Sequence, residues 1–119
     1  MNETNILVNT VVEALQEKKG RNILTMDMSK LDGSICQHFV ICQGNTPTQV
    51  SALSDSVWDL VYDRLHEKPM GAIGMQEAQW IAMDYGTVMV HVFIPATREY
   101  YNLENLWADA LVTEIPDIL

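Results

Sequence analysis

Three groups of residues in this sequence have types and spacings that could do chemistry: Asp32-Gly33-Ser34, the set Cys36, His38 and Cys42, and the segment Trp80 to Phe93. Two-metal nucleotidyl transfer needs a Gly-Ser turn followed by two carboxylates, two residues apart on a strand, to hold Mg²⁺. Gly33-Ser34 offers the turn, but the next strand reads Cys36-Gln37-His38-Phe39-Val40 and carries no carboxylate. Cys36, His38 and Cys42 share one face of that strand. A zinc site instead draws its ligands together from a turn, with closer Cys spacing. The two thiols lie roughly 20 Å apart along an extended chain, too far to bridge each other. Buried, reduced thiols beside a hydrogen-bonded histidine are expected. No P-loop, dinucleotide fingerprint or nucleophile motif is present, so neither a metal nor a cofactor is expected, and no enzyme activity.

The third group reads as a hairpin, W-I-A-M-D-Y-G-T-V-M-V-H-V-F. With Tyr85-Gly86 as a two-residue turn, glycine accepts positive φ and Asp84 can hydrogen-bond the turn backbone. That register pairs Asp84 with Thr87, Met83 with Val88, Ala82 with Met89, Ile81 with Val90 and Trp80 with His91. Side chains alternate across a strand. One face is therefore Ile81, Met83, Val88, Val90, Val92 and Ile94, wholly aliphatic, and must be core. The other is Trp80, Ala82, Asp84, Thr87, Met89, His91 and Phe93. Such a mixture has two readings: a helix covers it, with His91 satisfied beside Trp80, or it is a partner-binding or dimer face.

The elements that position the hairpin follow from periodicity. Val8, Val11, Val12 and Leu15 predict a helix over about residues 4–19, with Gly20 as its stop. Strands are expected at residues 23–28 and 36–42, the second central in a sheet, with a turn at Leu31 to Ser34 between them. Thr46-Pro47-Thr48-Gln49 predicts a helix start, with a Thr cap, Pro at the first position and Gln completing a capping box. Val50, Leu53, Val57, Leu60, Val61 and Leu65 supply its buried stripe, while Asp55, Asp59 and Asp63 mark a solvated face. A further short strand fits near Met70 to Ile73. Thr97 offers the cap of a last helix, with Tyr100, Leu103, Leu106, Trp107, Ala110 and Leu111 as its buried stripe and Pro116 at its end. The order α-β-β-α-β-β-α gives an α+β or α/β class built on a small mixed sheet.

A chain of 119 residues, 48% hydrophobic, is expected to form one domain spanning residues 1–119. No run of eighteen apolar residues and no basic, apolar leader are visible, so a cytoplasmic location is expected and a membrane is not. The net charge is −9, and residues 69–119 hold seven acids against one base, Arg98. Such a surface repels phosphate backbones, which disfavours direct nucleic-acid binding; a basic protein partner and acidity kept only for solubility account for the charge equally well.

Trp80-Ile81, Asp84-Tyr85-Gly86, Val90-His91-Val92-Phe93, Arg98-Glu99-Tyr100-Tyr101, Leu103-Glu104 and Leu106-Trp107 together closely resemble the signature of the ribosomal silencing factor (Iojap-like) family. Phe39 to Thr46 is similar to that family's strand and glycine ahead of its long helix. The likeness covers about residues 4–110, with departures at Gln37, His38, Ile73, Thr87 and Pro95. It implies a nucleotidyltransferase-like α/β fold without catalytic residues, often as a homodimer. It further implies docking to the large ribosomal subunit through a basic ribosomal protein, the fourteenth of that subunit, so that the small subunit cannot join. On that footing Trp80 and Met89 are expected to supply anchor area and Asp84 to pair with an Arg or Lys. Tyr85 would touch the partner from the turn, and His91 would either contact the partner or orient Trp80. Arg98 is expected to pair with a carboxylate and fix the last helix, with Tyr100 and Trp107 in the core. Rival readings are a large-subunit assembly or stability factor using the same surface, a residual nucleotide-handling enzyme, and a dimeric scaffold with an unrelated basic partner.

Overall fold

A computed structural model describes residues 3–31 and 36–118. The expected turn at Leu31 to Ser34 therefore lies mostly outside the described residues. The chain forms α1 (Glu3–Glu17), β1 (Arg21–Asp27), β2 (His38–Gln43), α2 (Pro47–Leu65), β3 (Gly71–Ile73), β4 (Trp80–Asp84), β5 (Val88–Phe93), α3 (Pro95–Tyr101), α4 (Leu103–Leu106) and β6 (Leu111–Ile115). Six strands make one mixed sheet in the order β3-β4-β5-β2-β1-β6. β2 and β5 run parallel at its centre, and every other neighbouring pair is antiparallel. The class is α/β, as the residues implied. Among the described residues no helix is long and apolar enough to cross a membrane.

One face of the sheet carries both long helices. Leu7, Val8, Val11, Ala14 and Leu15 of α1 and Val50, Leu53, Val57 and Val61 of α2 pack on Ile23, Val40, Cys42, Ile81, Met83, Val88, Val90 and Val92. The start of α2 follows its sequence signal: Thr46 Oγ1 accepts the Gln49 amide at 3.1 Å, and Gln49 Oε1 accepts the Asn45 amide at 2.9 Å. Its end is a left-handed His66, whose N–H bonds the Tyr62 carbonyl. Asp55, Asp59 and Asp63 all face solvent. Between the helices, the buried Ser56 hydroxyl donates to the Ala14 carbonyl at 2.8 Å.

Several elements differ from expectation. α1 ends at Glu17, and the left-handed residue after it is Lys19 rather than Gly20. Gly20 matters for another reason, because a Cβ there would collide with Cys42 Sγ. β2 starts at His38, so Cys36 sits before the strand and packs on the opposite side of the sheet from Cys42. The last helix is two short ones. Ile94, not Thr97, is the N-cap, Pro95 occupies the first turn, and Asn102 turns left-handed at φ 48°. The predicted stripe is therefore broken: Leu103 is buried, but Tyr100 and Leu106 are 81% and 69% exposed. Leu111 begins β6, an additional strand on β1.

β1 carries a bulge between Arg21 and Leu24, with Asn22 at φ 50°. Both freed backbone groups of Asn22 have partners, the carbonyl taking Arg98 Nη1 at 2.7 Å and the N–H giving to Asp117 Oδ1 at 3.0 Å. Arg98 also lies 3.5 Å from Glu104, so it fixes α3 and α4 to the sheet.

The loop before β4 depends on one glycine. Gly74 has φ +83°, and a Cβ there would strike the Trp80 carbonyl. Gly74→Ala should lower unfolding free energy by about 2 kcal/mol or more, measured as a shift of the urea midpoint at unchanged slope. An unchanged midpoint would mean the loop is not held as described.

Candidate surface on the open face of the sheet

The face opposite α1 and α2 is assembled from alternate residues of β1, β2, β4 and β5. Leu24, Met26, Phe39, Ile41 and Phe93 form its base, and Leu103 packs on them, with Trp80, Met89, Trp107 and Ala110 half-buried around the edge. Among the described residues, the short α3–α4 segment covers part of this face, and Met28, Leu31 and Cys36 pack on it as well. The hairpin's two faces separate as its alternation predicts, but its register does not hold. Asp84 pairs with Met89, Met83 with Val90, Ala82 with His91, Ile81 with Val92 and Trp80 with Phe93.

The turn is wider because its groups are committed elsewhere. Asp84 Oδ1 accepts the Gly86 N–H at 2.8 Å, and the Thr87 carbonyl accepts the amides of both Gln37 and His38 at 3.0 Å. Thr87 thus anchors the entry to β2 instead of pairing with Asp84. The slip is two residues, so every side chain keeps its face. Tyr85 moves most from expectation. It is 7% exposed and packs in the helix-side core, with its hydroxyl buried and unpartnered. Burial there pushes the phenol pKa well up.

Trp80 and His91 form the centre of the open face. The indole Nε1–H donates to His91 Nδ1 at 3.0 Å. This geometry requires the neutral ring with its proton on Nε2. His91 is 4% exposed, and burial pushes its pKa down to about 4. The Phe39 ring meets the imidazole edge-on at 4.7 Å, and Trp80 stacks on Phe93 at 5.1 Å. The hydrogen bond ties the indole to the buried imidazole.

Beyond Trp80 the aromatic layer continues to the surface. Tyr101 lies 4.6 Å from Trp80, and Tyr100 meets Tyr101 at 5.0 Å. The result is a run from buried His91 through half-buried Trp80 to exposed Tyr101 and Tyr100. Both tyrosines escape the sequence reading of the surface, since a continuous helix would have placed Tyr100 inside. Pro95 and Asn102, which bound α3, are the signal that would have exposed them. Asp84 and Met89, both half-buried, pair across β4 and β5 at the other end of this face.

The remaining candidates are dispersed. Cys42 is pushed up to about 12 by burial, and Cys36 is raised for the same reason, so both thiols stay protonated. His38 Nε2 approaches Asp27 at 3.9 Å. Among the described residues no three His, Cys, Asp or Glu side chains are grouped to hold a metal.

His91 makes stability pH-dependent. Its folded pKa lies below the unfolded value of about 6.5, so the unfolded chain binds the proton first as pH falls. Its contribution is absent above that value and grows as a penalty until about pH 4. Between pH 6.5 and 5 the native chain should lose about 1.5 kcal/mol more than His91→Gln, measured by urea unfolding of both. Parallel curves would place His91 in solvent.

Known proteins match over this whole architecture. The model of the family described as ribosomal silencing factor during starvation matches residues 1–119. A ribosomal silencing factor of Bacillus subtilis is 36% identical over 116 residues, covering 97% of this chain and 95% of that protein. The maize chloroplast protein Iojap is 30% identical over 78 residues, 66% of this chain and 33% of its own length. A crystal structure from Chromobacterium violaceum superposes with a TM-score of 0.84 at 34% identity, covering 90% of this chain and 88% of that one. Another from Bacillus halodurans gives 0.80 at 31% identity, with coverage of 93% and 99%. With the hairpin signature, the fold and the full-length match in agreement, this chain belongs to the ribosomal silencing factor family.

Proposed function

We propose that this chain is a non-enzymatic translational repressor of the cytoplasm, formed as a single domain and dimeric when free. It docks on the large ribosomal subunit through a basic ribosomal protein, the fourteenth of that subunit, on the joining face. Bound there, it keeps the small subunit off by occupying its space. The observation that carries this reading is the aromatic run Trp80, Tyr101 and Tyr100, which rises from a buried base to an exposed tip. Aromatic side chains that are rigid below and exposed above are the usual anchors of protein interfaces. Trp80 and Met89 supply apolar area, and Asp84 offers its second carboxylate oxygen to an Arg or Lys. His91 and Tyr85 act from beneath, the one holding the indole and the other holding the turn. A net charge of −9 suits a basic protein and disfavours direct contact with ribosomal RNA.

Purified subunits test this in a sucrose gradient. The chain should travel with the large subunit and reduce subunit joining. Tyr100→Glu, at an exposed position, should weaken binding at least tenfold while leaving the thermal midpoint unchanged. Trp80→Ala with Asp84→Lys should abolish binding in a chain that remains folded by circular dichroism. Retained binding by both variants would move the interface elsewhere. Binding without loss of joining would favour a role in large-subunit assembly, and binding to neither subunit would overturn the reading.

A further inference from the structure

The far edge of the sheet has a second surface of different construction. Among the described residues β6 pairs with β1 alone, through five residues, and ends the sheet on that side. Its side chains are unusually bare: Leu111 is 71% and Val112 43% exposed, and Thr113 and Glu114 are exposed too. Edge strands of this length normally carry lysine, proline or a cover that blocks pairing. Lysine and proline are absent from Leu111–Ile115, and among the described residues no other strand pairs along its outer side.

Beside β6 lies a cleft of about 660 Å³, between the bulge of β1, the end of β6 and the α3–α4 segment. Its carboxylates differ in what they have left to give. Asp117 is engaged by Arg21 at 3.4 Å and by the Asn22 N–H. Glu104 places Oε2 near Arg98, while its Oε1 is buried without a hydrogen-bond partner. Glu114 pairs with Leu24 in register, on the same side of the sheet as the cleft, and is exposed. Arg98, the one cation lining the cleft, is already bonded to Asn22 and Glu104. An orphaned acceptor and a free carboxylate therefore stand next to an unpaired strand edge.

We propose that β6 is a docking edge that takes an extended basic segment of a protein partner as a seventh strand, with one Lys or Arg beside Glu114 reaching Glu104 in the cleft. Main-chain hydrogen bonds along β6 would supply binding, and the alternate basic side chain would supply selectivity. A residue directly opposite Glu114 would have its Cβ about 4.5–5.5 Å from that of Glu114, within reach of an ion pair. Charge chooses between a basic segment and a second copy of the chain. Pairing two copies along β6 would bring a second Glu104, Glu114 and Asp117 to this same edge. This edge lies at the opposite end of the strand order from β3 and β4 and does not depend on the role proposed for Trp80.

Amide hydrogen exchange of the full chain tests it, with an eight-residue probe peptide in which arginine alternates with threonine. Peptide binding should slow exchange at Leu111–Ile115 at least tenfold. A peptide of the same composition with its arginines in one block should not do so. Glu114→Lys, at an exposed position, should weaken the alternating peptide at least tenfold without moving the thermal midpoint, and Trp80→Ala should leave the β6 protection intact. Equal protection by both peptides would reduce the effect to charge attraction and overturn the proposal. So would an absence of protection at β6, or affinity unchanged in Glu114→Lys.

Discussion

The parallel pairing of β2 with β5 is the constraint from which the rest of the architecture follows. Two parallel neighbours cannot be joined by a tight turn, so the chain must leave the end of β2, cross over and return in the same direction. α2 is the crossover, and β3 and β4 are laid down on the way back. Both central strands are buried on both faces: Phe39 to Cys42 in β2 and Val88 and Val90 to Phe93 in β5. A strand of that kind needs cover above and below. α1 and α2 provide it on one side. On the other, the described cover is slighter: α3 and α4, too short to reach across the sheet, with Met28, Leu31 and Cys36 beside them.

This imbalance of cover shapes the open face. Where Leu103 lies over Phe93 and Phe39, the face is ordinary core. Where cover gives out, the chain meets the boundary with water using side chains that have an apolar body and a polar edge. Trp80 is the main one, and its N–H would be costly to leave unpaired. His91 meets that need from inside the sheet while remaining uncharged. The aromatic layer is thus the edge of the core as well as the surface we propose for a partner, so the two readings of the hairpin's mixed face are compatible.

Much of the fold was legible because local and global signals agreed. The alternation of Ile81, Met83, Val88, Val90 and Val92 assigned their face correctly even though the pairing slipped, because a slip of two residues preserves parity. Thr46-Pro47-Gln49 located α2 because capping is a local interaction. The register was less legible, since Thr87 is held by the amides of residues 37 and 38, distant in sequence. The C-terminal region misled for a physical reason. Tyr100, Leu103, Leu106, Trp107, Ala110 and Leu111 satisfy helical spacing, but Asn102 turns left-handed between Tyr100 and Leu103, and α4 stops at Leu106. Leu111–Ile115 then finds its partner in β1, some ninety residues earlier. Tyr100 moved from predicted core to surface with that break, and the candidate surface gained a residue that periodicity had hidden.

Arg98 has a consequence of its own. It is the only cation in residues 69–119, and the fold consumes it internally, on a backbone carbonyl and the neighbouring Glu104. The seven acids of that half consequently have no mobile base of their own half to offset their field. The field of a chain with a net charge of −9 extends about a Debye length into solution, ~8 Å at physiological salt. It acts before any contact forms, turning the molecule and drawing it toward a positively charged target. One buried guanidinium thereby shifts the effect of the composition from the strength of a complex to the speed and orientation of the encounters that precede it.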